Sequence, residues 1–232
     1  MEIKVLASGS RGNAYLVSDG LTPLLLECGI NFKDIQRGLN FRLSEVAGCL
    51  VSHEHQDHAR AAKDVAKAGI DIYASPGTLH ALGLWGYRGK PVRAREQFTV
   101  GTWTVLPFET EHDAAEPLGF LLASRGGEKL LYATDTCYIR YRFRGLTRLM
   151  VECNYAADVL RANVESGAVP VEMKRRIIRS HMSLETLKEM LKANDLSRVQ
   201  EIWLLHLSDN NSDAEHFKRE IQALTGKPVY VA

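Results

Sequence analysis

The stretch VSHEHQDHAR, residues 51–60, sets His53, His55, Asp57 and His58 within six consecutive positions, directly after the apolar run AGCLV. The chain has eight histidines in 232 residues, and three of them fall in this one loop. Imidazole and carboxylate are ligands for zinc and for manganese. Neighbouring side chains sit too close to chelate one ion without strain, whereas alternate positions on a loop leaving a strand can converge on a pair of cations. His53 and His55 then serve one ion, and Asp57 and His58 a second. Each ion needs further donors, and the sequence offers them at the ends of predicted strands: His112 in ETEHDAAEP, Asp135 in YATDTC and His206 in LLHLSDNN. A solvated, polar helix start explains a lone H-x-H better than it explains four ligand-type residues in six.

Two divalent cations a few ångströms apart lower the pKa of a shared water and clamp the attacking and leaving oxygens of a displacement, which is hydrolysis. Asp57 would orient that water as well as bind metal, so no separate nucleophilic side chain is required. His181, in SHMSLETLKEM, precedes a helix that Ser183 can cap. At that place it could meet a phosphate or act as a general acid, which makes it the second catalytic candidate. Between Arg140 and Arg179, in RYRFRGLTR and MKRRIIR, basic residues outnumber acidic ones about twofold. Arg88, Lys90, Arg93 and Arg95 form another cluster. Such patches suit a phosphate backbone, with Tyr138, Tyr141 and Phe143 placed to stack on unpaired bases, although either patch alone also fits a solvated face. Ser8, Ser10 and Asn13 in SGSRGN are weaker candidates, since a glycine-rich turn can present N–H groups to an anion. His80 and His216 stand on predicted helices and read as structural.

The elements that must position these groups follow from periodicity. Strands are expected at IKVLAS, NAYLVSD and PLLLEC, then at REQFTV, TWTVLPF, LGFLLAS, KLLYAT and RLMVEC, and last at EIWLLHL and KPVYVA. Helical spacing appears at FKDIQRGLNF, from Asp57 to Lys67, at PGTLHALGLW, and at SDAEHFKREIQALTG, where Ser212 and Glu215 suggest a capping box and Gly226 a stop. At 45% hydrophobic, residues 1–232 can form one domain, and a β-run, helices, a second β-run and more helices fit two sheets between helical layers. The formal net charge of +1 decides nothing about partners. Cys28, Cys49, Cys137 and Cys153 form no C-x-x-C pair, and the start MEIKVLASGS carries no basic and apolar leader, so a reducing cytoplasm is expected. No apolar run is long enough for a membrane helix. No motif specifies the oligomeric state.

At the level of motifs the chain resembles the metallo-β-lactamase fold superfamily, whose H-x-H-x-D-H stands here as His53-Glu54-His55-Gln56-Asp57-His58. The HDAAEPLGF segment, TDT around Asp135 and the terminal His206 follow in the family's order, and LASGSRGNAYLV, HDAAEPLGF, VECNY and LLHLSDNN look most like the YycJ/WalJ-type subgroup, regarded as DNA exonucleases. The resemblance implies a four-layer αββα sandwich. It also implies one metal held by His53, His55 and His112, a second held by Asp57, His58 and His206, and Asp135 bridging both with a hydroxide. The ions would be zinc or manganese. Where relatives often carry an aspartate after the third strand, Glu27 stands here, in a position that usually supports the metal loop. The interval from Asp135 to His206 is too short for a full β-CASP insertion. The reading is a phosphodiesterase acting on nucleic acid, DNA before RNA. The competing readings are a thioesterase or lactonase of the same fold, for which the arginine-rich segments provide no acyl pocket, and a non-catalytic binding module that keeps metals for stability.

Overall fold

A computed structural model describes all residues, Met1–Ala232. The chain divides into two compact units, the first formed by Met1–Glu109 with Ala114–Glu128 and the second by Thr110–Asp113 with Lys129–Ala232.

The first unit begins with strands β1 (Glu2–Ala7), β2 (Ala14–Ser18) and β3 (Pro23–Leu26), paired antiparallel in that order. Helix α1 (Phe32–Gly38) leads to β4 (Cys49–Leu50), which pairs parallel with β3. Two short helices, α2 (Gln56–Ala59) and α3 (Ala62–Lys67), precede β5 (Ile72–Ala74), α4 (Pro76–Leu82) and β6 (Gly89–Pro91), and β4, β5 and β6 continue the sheet in parallel. Buried Leu25, Ile35, Cys49, Val65, Ile72 and Leu79 pack the helices onto it. Strands β7 (Phe98–Val100), β8 (Trp103–Glu109) and β9 (Leu118–Ala123) form an antiparallel meander. In the second unit β10 (Lys129–Ala133), β11 (Arg148–Glu152), β12 (Glu201–Leu205) and β13 (Val229–Val231) lie parallel and in sequence order. Its helices are α5 (Ala157–Glu165), α6 (Val171–Ser180), α7 (Leu184–Lys192) and α8 (Ala214–Thr225). Parallel strands aim all their carboxyl ends one way, and in α/β folds that end is where chemistry collects.

Several local expectations change. The helix expected from Asp57 to Lys67 is broken after Ala59, because the N–H of Ala61 donates to the Cys28 carbonyl at 2.9 Å instead of continuing the helical ladder. In PGTLHALGLW the helix stops at Leu82, with Gly83 left-handed at φ 63°. The Ser212–Glu215 capping box does not form: Asp213 caps α8 by accepting from the N–H of His216, and the Ser212 hydroxyl donates to the Ser208 carbonyl. Gly226 ends that helix at φ 65°, as expected. Strands β5 and β6, three residues each, have no counterpart among the sequence expectations.

Candidate metal centre

In the first unit the apolar strand β4 runs into the loop carrying His53 and His55, and α2 then carries Asp57 and His58. The rings of His53 and His55 meet edge to face with centroids 4.7 Å apart, and those of His53 and His58 lie 4.2 Å apart. Asp57 Oδ2 is 3.4 Å from His58 Nε2. The four residues proposed from sequence therefore converge. Two backbone hydrogen bonds clamp their loop, Asn13 N–H to Asp57 O at 2.7 Å and Cys28 N–H to His58 O at 2.8 Å, and Gly29 N–H to Asn13 O at 2.8 Å ties the two clamping segments together. Glu27, buried at the end of β3, accepts the Ser52 N–H on both carboxylate oxygens at 3.2 Å and lies 3.8 Å from His58 Nδ1. It supports the loop as expected, longer side chain included.

Asn13 was among the weaker sequence candidates, yet its side chain is buried, with Nδ2 3.1 Å from both Asp57 O and His58 Nε2. The SGSRGN loop turns several of its backbone N–H groups inward. Its Gly9 N–H donates to Asn13 Oδ1 and its Gly12 N–H to Gly9 O, while Ser8 receives the Tyr15 hydroxyl and Ser10 is exposed.

In the second unit Asp135 follows β10, Glu152 closes β11, and His206 follows β12. Asp135 Oδ1 lies 3.6 Å from His206 Nδ1, and Oδ2 lies 3.5 Å from His112 Nε2. His112 Nδ1 lies 3.0 Å from the Ser180 carbonyl. A carbonyl only accepts, so Nδ1 carries the proton and Nε2 turns a lone pair toward the Asp135 carboxylate. Two electron-rich atoms held face to face at 3.5 Å suit a cation as their common partner. Burial holds the His112 pKa below the ordinary histidine value, against the opposing pull of the Asp135 carboxylate.

His181 sits between α6 and α7, and Ser183 caps α7 by accepting the Thr186 N–H. His181 Nδ1 is 2.6 Å from Glu152 Oε1, and its ring stacks on His206 at 5.4 Å. Burial, the largest influence, pulls the His181 pKa down, but the Glu152 carboxylate and its hydrogen bond overcome it and raise the value. For Glu152 burial pushes upward, while His181 and the further hydrogen bonds bring the carboxyl below its usual range. Glu152 Oε2 also accepts the N–H groups of Thr136 and Met182, at 2.9 and 3.1 Å. Asp135, Glu152, His181 and His206 together could hold one metal ion. Sequence reading gave Glu152 no role; its signal was a carboxylate closing the apolar strand RLMVE, where nothing but a buried partner makes it tolerable.

The basic segments are partly neutralised. Arg88 and Lys90 pair with Asp71, Arg95 with Glu109, Arg140 with Glu111, Arg148 with Glu201 and Arg176 with Asp113. Phe143 is 9% exposed and cannot stack on a base, whereas Tyr138 is 51% exposed and Tyr141 half-buried. Cys28, Cys49 and Cys153 are buried and Cys137 half-buried, all as free thiols. No helix is long and apolar enough to cross a membrane.

Residues 24–207 match the family described as Beta-lactamase superfamily domain. The chain is 29% identical over 228 residues to an exodeoxyribonuclease WalJ of Streptococcus pneumoniae, covering 91% of this chain and 83% of that one. It is 31% identical over 229 residues to an exodeoxyribonuclease YycJ of Bacillus anthracis, with 91% and 84% covered. The crystal structure of the metallo-β-lactamase fold protein YhfI from Bacillus subtilis superposes with a TM-score of 0.76 at 17% identity, covering 99% of this chain and 95% of that one. The α/β architecture expected from the sequence is thus the one found, and the chain belongs to the beta-lactamase superfamily as a metal-dependent hydrolase with the metallo-β-lactamase fold, akin to the WalJ and YycJ proteins.

Proposed function

We propose that the protein is a dinuclear-metal phosphodiesterase that degrades nucleic acid, DNA in preference to RNA, as a cytoplasmic exonuclease. The observation that carries this reading is the identity of 29–31%, over 91% of the chain, with proteins named exodeoxyribonucleases. The donor chemistry supports it. In this reading His53, His55 and His112 would hold one ion and Asp57, His58 and His206 a second, with Asp135 as a further donor, so residues 1–232 act as one functional domain. Imidazole-rich donors suit zinc, and the carboxylates admit manganese.

When bound, the ions would supply electrophilic activation of water and of a phosphoryl oxygen. The chain's own side chains then have separate tasks. Asp57 holds and orients the attacking water. Glu27 and Asn13 keep the loop of Asp57 and His58 in register through the contacts given above. His181, held at Nδ1 by Glu152, has Nε2 left to donate a proton to the departing oxygen. The exposed arginines of α6 offer charge-assisted hydrogen bonds to phosphates.

The test uses end-labelled DNA and RNA with protein stripped by chelation and reloaded with zinc or manganese. Stepwise, metal-dependent shortening of DNA from one end, lost in Asp57→Asn and His58→Ala, is expected. Absence of nucleic-acid cleavage with every divalent metal, alongside turnover of a glutathione thioester, would overturn the reading.

A further inference from the structure

A cavity of about 550 Å³ opens on the first unit beside α3 and the loop that follows α4, with Lys63, Lys67, Trp85, Tyr87 and Arg88 among its lining residues. We infer that this cavity is a stacking site for unpaired bases of single-stranded nucleic acid, with Lys63, Lys67 and Arg88 holding the phosphates. The inference rests on the nuclease reading and deepens it, since none of these residues belongs to the proposed donor set.

The aromatic rings come first. Trp85 is 64% exposed and Tyr87 86% exposed, so the hydrophobic core uses neither. Large rings in water forgo the burial that ordinarily justifies them, and a cluster of them marks a surface made for contact. Gly86 between them has φ 119° and nothing within 4 Å of a built Cβ, a conformation glycine adopts readily and one that lets the chain turn between the two rings. The Arg88 guanidinium carbon lies 4.8 Å from the Tyr87 ring centroid, and Arg88 Nη2 is 3.4 Å from the Tyr87 hydroxyl. Arg88 is fixed from its other side by Asp71, 2.9 Å from Nη1. Arginine and tyrosine are thereby preset as a pair, with the guanidinium on one face of the ring.

Charge selects the ligand. No carboxylate lines the cavity. Around it four cations, Lys63, Lys67, Arg88 and Lys90, face two acids, Asp64 and Asp71, and the Lys67–Asp64 pair is a long 3.9 Å contact between exposed side chains. Such a pair is weak in water and yields to a phosphate. Gly83 and Gly69, at φ 63° and 96°, let the backbone turn where it lines the cavity. Aromatic faces interleaved with cations in an open groove are the common form of sequence-tolerant single-strand binding. An acidic or apolar protein partner would leave either the rings or the cations without a complement. The volume lies within the roughly 300–1,000 Å³ typical of ligand sites.

The experiment measures binding by fluorescence anisotropy to a labelled, phosphorothioate-linked oligothymidylate of about 12 nucleotides, within the range such grooves cover. The metal-loaded protein is compared with Trp85→Ala/Tyr87→Ala and with Lys63→Gln/Lys67→Gln. Loss of the two rings should weaken binding by roughly 10- to 100-fold, as expected for lost base stacking. Loss of the two lysines should flatten the slope of log affinity against log salt by about 1.4. Melting temperatures of all proteins should agree, because the substituted side chains lie at the surface. Hydrolysis of bis(p-nitrophenyl) phosphate, too small to reach both places, should be unchanged in both variants. Affinity within twofold of wild type in both variants would overturn the inference. So would a change in sedimentation of the protein alone with affinity unaltered, which would make the patch an interface between copies. Ring-dependent binding by a protein that hydrolyses no phosphodiester would remove the nuclease reading and leave this site standing.

Discussion

Gly29 offers the most direct perturbation of the donor loop, because the structure fixes the size of the effect. Gly29 is not at positive φ, so alanine meets no left-handed backbone penalty there. What it meets is the loop itself: a Cβ would lie 1.7 Å from Asp57 O, 2.1 Å from Asp57 C and 2.6 Å from His58 N. Ordinary contact begins near 3.4 Å, so the two segments must part by about 1.7 Å, since no rotamer change can relieve a clash with backbone. That displacement breaks the clamps Asn13 N–H to Asp57 O and Cys28 N–H to His58 O. At about 0.5–1.5 kcal/mol for each bond and 1–3 kcal/mol for overpacking, Gly29→Ala should cost roughly 2–6 kcal/mol. A shift of that size also spoils ligand geometry, where about 1 Å can lower a rate 100-fold. Gly126→Ala is the matched control, with only Ser124 Oγ at 3.7 Å from the new Cβ. Denaturant melts and metal content by elemental analysis read the two effects separately. Gly29→Ala protein that keeps its metal and melts with Gly126→Ala would refute the view that this glycine carries the donor loop.

Other perturbations test neighbouring claims. Exhaustive chelation should lower the melting temperature by about 5–11 °C for one ion held at 100 times its dissociation constant, and equal melts with and without metal would deny the ions any hold on the folded state. Replacing Glu152 with Gln removes the carboxylate that raises His181. Metal-free wild-type protein should draw stability from His181 below its ordinary pKa and lose it as pH rises through the raised value, and imidazole NMR should show the His181 titration moved to lower pH in the variant. Asp135→Asn, which keeps an acceptor for the Thr134 hydroxyl while relieving the repulsion between Asp135 and buried Glu152, should melt no lower than wild type without metal and fail to gain stability on reloading. Far from the donors, partial burial pushes the Asp19 carboxyl up, but hydrogen bonds from Thr102 Oγ1, Thr22 N and Leu21 N prevail and lower it. Its stabilisation is therefore complete above the ordinary aspartate value and fades as pH falls through the lowered one. Asp19→Asn should flatten the stability profile in that acidic window alone, and an unchanged acid limb would show that the hydrogen bonds carry no charge-dependent energy.

The proposed donors stand out in the sequence because their chemistry leaves a mark in residue type. Four ligand-type side chains in six positions have few other uses, and the strands ahead of Asp135 and His206 announce themselves by apolar runs. The features that escaped are written in backbone contacts instead. The break between α2 and α3 depends on the Cys28 carbonyl, some thirty residues away in sequence, and no helical periodicity records a diverted N–H. Strands β5 and β6 are too short to show alternation and owe their pairing to the sheet they join. Asp213 displaced Ser212 as a cap because the Ser212 hydroxyl already had the Ser208 carbonyl to bind. Phe143 looked like a stacking residue beside Tyr141 because an arginine-rich stretch reads as surface throughout, yet its ring is buried. Glu152 was hidden by the opposite bias, being a charge inside a strand that composition marks as core.

Three side chains around the donors share a backbone oddity that ties fold to chemistry. Glu27, Asp135 and His206 have φ of 61°, 46° and 52°, the left-handed region that non-glycine residues rarely occupy. Each costs about 1–2 kcal/mol relative to an ordinary conformation. Glycine would relieve that cost at any of the three positions, so the persistence of a carboxylate or imidazole points to a requirement stronger than local stability. All three stand just beyond a strand, after β3, β10 and β12. A strand sends alternate side chains to opposite faces of its sheet, where they become core or surface. A left-handed residue at its end breaks that alternation and turns its own side chain out of the strand's register. Backbone strain at functional sites persists only where surrounding structure enforces it. Here the enforcement is visible: the Glu27 N–H donates to Leu50 O, and the His206 carbonyl accepts Asn154 Nδ2 at 2.8 Å. The sheets therefore do more than support the donor residues. For Glu27 and His206 these hydrogen bonds hold the backbone in a conformation the isolated segment would abandon, and the stability lost locally accompanies a carboxylate and an imidazole turned out of the strand alternation.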